Sequence, residues 1–366
     1  MSERLAGDPP GEERHTLGPM GTTTRVRERF LLACRREPVD ATPVWFMRQA
    51  GRYLPEYRKL RGDTDVLTLT RDPQAAAEVA LQPVHRMDVD AAILFSDIMV
   101  PIAAVGVDVR IVANQGPTLA EPFRSDADVA RLRALEPPED VPYTLDTIRI
   151  LLGELYVPLI GFAGAPFTLA SYLIEGKPSR DHARTKVLMH REPETWRALM
   201  VALTDHVVLP YLRAQANAGV HAIQLFDSWA GALDPDDYRE HVLPWSRRIL
   251  EGLAGAGVPL IHFGTGTGEL LAMMREAGAH VVGVDWRTPL DAAWDRIGAD
   301  AGIQGNLDPA ALLGPWEVVE RKAEAVLARA GGRPGHVFNL GHGVFPETPP
   351  EHLARLVDLV HERTAR

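Results

Sequence analysis

Cysteine is nearly absent from this chain: Cys34 is the single example among 366 residues. One thiol cannot build an internal disulfide framework, and such sparing use fits a reducing compartment, so a cytoplasmic setting is expected. The same scarcity excludes a cysteine-rich zinc site. Long apolar runs are missing too. No stretch reaches the roughly 18 residues a membrane-spanning helix needs. The opening residues lack a basic patch followed by an apolar stretch, so neither a signal peptide nor a membrane partner is expected. Positive charge is in deficit, and a formal net charge of −10 repels nucleic-acid phosphates.

What is present is apolar residue, 46% of the chain, enough for a large packed core. Residues 1–22 are rich in Gly, Pro, Glu and Arg without apolar periodicity and are expected to form a disordered tail. From residue 23 to 366 a single domain is expected, with a helical pattern from Thr24 through Leu32. Short apolar runs then alternate with helical segments. Eight strands are predicted, at 44–47, 91–95, 158–163, 222–226, 259–263, 281–284, 302–305 and 337–340. Runs apolar on both faces, separated by helices, indicate buried parallel strands. Helices are predicted at 73–87, 193–218, 238–256, 268–277, 289–297, 317–330 and 350–363. The long connection from Pro101 to about Pro142 contains an expected extra hairpin at 109–112 and 118–119. Eight strands over about 300 residues favour a closed (β/α)₈ TIM-type barrel over a doubly wound open sheet.

In such a barrel chemistry sits on the loops that follow the strands. Polar residues in those places are Arg48, Gln49 and Arg52, then Ser96 and Asp97, then Tyr172 beyond the third strand. Asp227 and Ser228 follow the fourth, Asp285 the sixth, Asn306 the seventh and His342 the eighth. Arg48 and Arg52, in a turn loosened by Gly51, can aim two guanidinium forks at neighbouring carboxylates; the plainer alternative is a pair of surface ion pairs. Asp97 reads either as a helix cap or as a partly buried carboxylate facing a developing cation. His342 stands between two glycines that let a ligand approach closely. Tyr172 and Ser228 alone read equally as core or capping hydroxyls.

A competing signal is LIHFGTGTG at 260–268, followed by an apolar run and Asp285. Strand, glycine turn, helix, strand and acid are the parts of a nucleotide or S-adenosylmethionine site. The spacing is G-x-G-x-G rather than G-x-G-x-x-G, and it lies after four apparent strand–helix units instead of opening the domain. An S-adenosylmethionine- or zinc-dependent methyltransferase-like barrel is therefore the alternative reading. Cys34 precedes the first strand, on the wrong side for a strand-end zinc ligand.

Five segments, PVWFMRQAGRYLPEYR (43–58), ILFSDIMVP (93–101), GFAGAPFTLASYLIEG (161–176), QLFDSWAG (224–231) and FNLGHGVFPETPPE (338–351), closely resemble the uroporphyrinogen decarboxylase family. The resemblance implies a homodimeric (β/α)₈ barrel of haem biosynthesis that needs no metal or organic cofactor. It implies uroporphyrinogen as substrate, its four acetate arms converted to methyls with release of CO₂. It also implies Arg48 and Arg52 on substrate carboxylates, with Gln49, Ala50 and Gly51 lining the site. Asp97 matches the carboxylate that takes the central pyrrole N–H groups, and Tyr172, Ser228 and His342 match substrate contacts. Asp97, Arg48 and Arg52 are the expected catalytic residues. The proton donor stays open among an arginine, Tyr172, His342 and an arginine-bound water. Arg61, three residues past the first segment, is expected to be solvated.

Overall fold

The computed structural model describes residues 28–112 and 116–366, so the tail expected at 1–22 lies outside the described residues. Among the described residues nine strands form two sheets. Seven of them make one parallel sheet in the order β1 (Ala92–Ile93), β4 (Leu159–Gly164), β5 (Ala222–Asp227), β6 (Leu260–Gly264), β7 (Val281–Gly283), β8 (Gly302–Leu307) and β9 (His336–Leu340). β2 (Val109–Val112) and β3 (Gly116–Leu119) pair antiparallel as the expected hairpin.

The sheet curls until its two edges meet through residues 43–47. Val44 bridges Phe338 of β9 on one side, and its carbonyl accepts the Asp90 N–H at 2.8 Å on the other. This segment was expected as a full strand but makes only that one bridge. The reason lies in who takes its N–H groups. Val44 N donates to the Asp90 carboxylate at 2.7 Å, Phe46 N to Gln49 Oε1 at 2.9 Å and Met47 N to Asn339 Oδ1 at 3.0 Å. Side chains have replaced these ladder partners. The backbone bridge is to Phe338, through Trp45 N to Phe338 O at 3.4 Å and Phe338 N to Pro43 O at 2.9 Å, so the eighth stave closes the ring with a single bridge.

Inside the ring the polar side chains are chained together. Trp45 Nε1 donates to Gln304 Oε1 at 3.0 Å, and Gln304 Nε2 to Gln224 Oε1 at 3.1 Å. Most of the other residues of the seven parallel strands are apolar and buried, as expected for strands covered on both faces, with Asp227, His262, Asn306, His336 and Asn339 as buried polar exceptions.

Most helices match the predicted spans. Asp72 caps Pro73–Met87 by accepting from Gln74 N and Ala75 N, and proline fills the first turn. Three differences matter. The helix Pro166–Glu175 was not predicted, because all ten of its residues are buried and it has no polar face to reveal its period. The span 193–218 is helical throughout but passes through a π-helical stretch, Ala202–Val208, between Pro193–Val201 and Leu209–Ala218. The span 238–256 breaks at Val242 into Pro235–His241 and Leu243–Leu253, where Pro244 removes a helical donor. Among the described residues no helix is long and apolar enough to cross a membrane.

Candidate active site

One cavity opens among the C-terminal ends of the strands, with Arg48, Ala50, Asp97, Tyr172, Ser228 and His342 in its lining. Its walls are largely apolar, with Phe95, Phe162, Phe226 and Phe263 among them. Six residues scattered over almost 300 positions of sequence are thus brought to one place.

Arg48 adopts a left-handed backbone conformation, φ 61°, which is uncommon for a side chain with a β-carbon. Such a conformation survives only where its surroundings hold it. Here the preceding Met47 N–H and the following Gln49 side chain are both anchored to the core. Gly51, φ 132°, carries the chain onward into a tight turn closed by Leu54 N to Gly51 O at 3.0 Å. Arg52 follows on this turn. Among the described residues neither Arg48 nor Arg52 has a carboxylate within ion-pair distance, so their forks remain available to an anionic ligand. Arg52 is exposed by area, yet burial of its guanidinium, and then the like charge of Arg48, pull its pKa down to about 10.

Gln49 has a different place from its neighbours. Its side chain is fully buried, with Nε2 on Ala91 O at 2.9 Å and Oε1 on Phe46 N. Only its main chain is left to face a ligand.

Asp97 lies between the two readings given by the sequence. Its Oδ1 accepts the Met99 N–H at 2.9 Å, a local cap just before the helix Val100–Ala104. Burial pushes the carboxyl pKa up, opposed by that N–H and by the charges of Arg48 and Arg52. A carboxylate held this way gains from any ligand that brings N–H donors to it.

Tyr172 projects from Pro166–Glu175 and packs edge-on against Trp229, with ring centres 5.8 Å apart. Burial, then nearby Asp97, push its hydroxyl up to about 12, so it stays protonated at neutral pH. His342 moves the other way: burial, and then Arg48, Arg52 and Arg287, hold its imidazole near 4, so it is neutral at neutral pH. Ser228 follows β5, and its carbonyl accepts the Thr265 hydroxyl at 2.6 Å.

That last bond explains the glycine-rich segment. Residues 264–268 pack against the Ser228–Gly231 loop so tightly that a β-carbon on Gly231 would sit 2.2 Å from Thr265 O. Gly266 N donates to Asp285 Oδ2 at 2.6 Å. The helix predicted from 268 starts only at Leu271. The acid and an N–H that a nucleotide site would need therefore bond each other.

One cavity residue escaped the sequence reading, and one residue beside the cavity wall departs from it. Trp229 lines the cavity, packs against Tyr172 and His182, and is positioned by its N–H on Thr168 Oγ1 at 3.2 Å. Its signal was its place beside Ser228 in QLFDSWAG. Arg61 was expected in solvent, but it is half-buried, donates Nε to Thr64 O at 2.7 Å and lies beside the Tyr57 hydroxyl. Tyr57 in turn packs edge-on against Phe95 of the cavity wall. Cys34 is buried, does not line the cavity and has its pKa raised by burial, as an inert packing thiol does.

Residues 25–363 match the sequence pattern of the Uroporphyrinogen decarboxylase (URO-D) family. This chain belongs to the uroporphyrinogen decarboxylase family. The uroporphyrinogen decarboxylase of Salinispora tropica is 59% identical over 338 residues, 92% of this chain and 91% of the relative. That of Frankia casuarinae is 60% identical over 333 residues, 91% of this chain and 89% of the relative. In structure the chain is similar to a methyltransferase from Methanosarcina mazei, TM-score 0.75 at 22% identity, covering 92% of this chain and 98% of that one. It is also similar to a B12-independent methionine synthase from Shewanella, TM-score 0.54 at 13% identity, covering 88% and 94%. At those identities the two structures speak for the barrel fold alone.

Proposed function

We propose that this protein decarboxylates uroporphyrinogen III, turning its four acetate side chains into methyls to give coproporphyrinogen III and four CO₂ in haem biosynthesis. The observation that carries this reading is the meeting of Asp97 with the unpaired Arg48 in one apolar-walled cavity, with Arg52 near enough for its charge to act on Asp97. The catalytic domain takes residues 23–366, works as a cytoplasmic homodimer and uses no organic cofactor.

The chemistry needs an electron sink for the carbanion that loss of CO₂ would leave. An electron-rich pyrrole supplies one when a ring carbon is protonated. The C–C bond to the carboxylate then breaks, its electron pair neutralises the pyrrole cation, and the exocyclic methylene is reprotonated to a methyl as the ring proton leaves. Asp97 accepts the pyrrole N–H groups and strengthens its hold as positive charge appears, an effect worth roughly 10²–10³ in rate. Arg48 and Arg52 grip substrate carboxylates, at about 1.5–3 kcal/mol for each charge-assisted bond. Tyr172, Ser228 and His342 complete the substrate contacts, with the main chain of Gln49, Ala50 and Gly51. For the proton, His342 near 4 is neutral in the free enzyme and Tyr172 near 12 is a weak acid. Arg52, near 10, is also protonated at neutral pH, so an arginine, an arginine-bound water, Tyr172 and His342 are the candidate donors.

The test is an anaerobic incubation of the purified chain with reduced uroporphyrinogen III, with and without a chelator and with and without S-adenosylmethionine. Four-carboxylate product in every arm is expected. Loss of turnover with chelator and its return with zinc would favour the methyltransferase-like reading instead.

A further inference from the structure

Outside the cavity, three side chains that the reaction does not use converge between two helices. His190 is near the end of the helix Ala183–Arg191, while Asp237 and His241 sit one turn apart on Pro235–His241. His190 Nε2 lies 3.4 Å from Asp237 Oδ2. The two imidazoles meet edge to face, 5.7 Å between centres. One potential donor atom from each residue falls within 4.8 Å of the others. We propose that His190, Asp237 and His241 bind a divalent cation of the zinc class, at a site separate from the substrate cavity.

The geometry suits that ion. Tetrahedral zinc with bonds of about 2.0–2.2 Å holds neighbouring donors roughly 3.3–3.5 Å apart. The His190–Asp237 pair already has this spacing. No remaining pair need close by more than about 1.5 Å, and the half-exposed His190 side chain is free to turn. An ordinary ion pair between His190 and Asp237 would leave unexplained why a second imidazole faces the first. Two imidazoles with one carboxylate select zinc or its first-row neighbours over magnesium or calcium, which prefer all-oxygen shells.

The surrounding charge is mixed, since Arg184, Lys186 and Arg191 share the helix of His190. Asp234, Asp236 and Glu240 accompany Asp237 on or next to its own helix. The basic residue on that helix, Arg239, is drawn away to Glu276 at 3.2 Å. Three protein ligands leave a fourth position for water. The site is not a cofactor site for decarboxylation, since none of its ligands lines the cavity. Its effect is mechanical. Ala183–Arg191 follows the helix that carries Tyr172, and Pro235–His241 follows the loop that carries Ser228 and Trp229. A bound ion ties those two segments together.

The experiment titrates zinc against a chromophoric chelator in the full-length protein after metal stripping. Wild type, His190→Ala and the double variant His190→Ala/His241→Ala are compared, with magnesium as a hard-cation control. The expected result is one more zinc equivalent in wild type than in the double variant. At least a tenfold loss of affinity is expected in His190→Ala, and a zinc-dependent rise in melting temperature in wild type only. Turnover should be the same in all three. Because the chain has 13 histidines, equal zinc stoichiometry in wild type and double variant would overturn the proposal, whether that number is zero or not. Should the double variant fail to fold, the half-exposed His190→Ala decides alone, and unchanged affinity there has the same meaning.

Discussion

The stem of Arg48 lies across the backbone of Gly343: a β-carbon at Gly343 would stand 2.4 Å from Arg48 Cδ and 2.7 Å from Cγ. Gly343 does not have a left-handed φ, so alanine suits its backbone and clashes only with Arg48. Gly343→Ala is therefore expected to displace one guanidinium while the protein stays folded. Losing one charge-assisted contact corresponds to roughly a ten- to hundredfold fall in kcat/KM. Steady-state kinetics beside a melting curve will check this, and near-normal kcat/KM would show that Arg48 does not hold substrate.

Asp97 separates a cap from a catalytic charge. Asparagine can accept the Met99 N–H as aspartate does, and it avoids the burial that raises the carboxyl pKa. Asp97→Asn should melt at or above the wild-type temperature. Its turnover should fall by about 10²-fold or more, because the carboxamide carries no charge and turns a donor toward the substrate's own N–H groups. Normal turnover in this variant would end the central-carboxylate mechanism.

His342 predicts a pH dependence of folding. Its folded pKa, near 4, is below the ordinary value of 6.5. Above 6.5 the imidazole is neutral in both states and contributes no pH dependence. Between 6.5 and about 4 the unfolded chain takes up a proton that the folded chain refuses, so stability falls as the pH drops through this window. His342→Gln should show a shallower decline in urea midpoint from pH 7 to 4.5 than wild type. Some decline should persist, since buried His336 has the same depressed pKa. Parallel curves would mean that His342 is not held neutral.

Much of this molecule can be read from its pattern, and the exceptions share a cause. Parallel strands stood out because their apolar runs are short, dense and bounded by helices. Pro166–Glu175 did not, because a helix buried on every side has no polar face. The segment 44–47 looks like any strand in composition; only the distant side chains of Asp90 and Asn339 reveal that it lacks a ladder. At the cavity, strand-end position was enough to find Arg48, Asp97, Tyr172, Ser228 and His342. It was not enough to show that the Gln49 side chain turns inward or that Arg61 folds back onto Thr64. Those outcomes depend on rotamers and neighbours, to which composition and period are blind.

The seam at Val44 also bears on how the molecule is assembled. β4 to β9 each lie beside the next strand in sequence, so their contacts need only moderate loops to be closed. The Val44–Phe338 bridge instead joins opposite ends of the described chain. Bringing such remote segments together carries the greatest loop entropy in the barrel, and little local pairing compensates for it. The ring is thus a clasp whose last hook is the stave that bears Arg48. Any sheet still open at this seam would keep Asp97 in the segment after β1 but would lack Arg48 at the cavity. Competence to hold a polyanion arrives with closure, so a nascent or half-folded copy has no formed grip on the substrate.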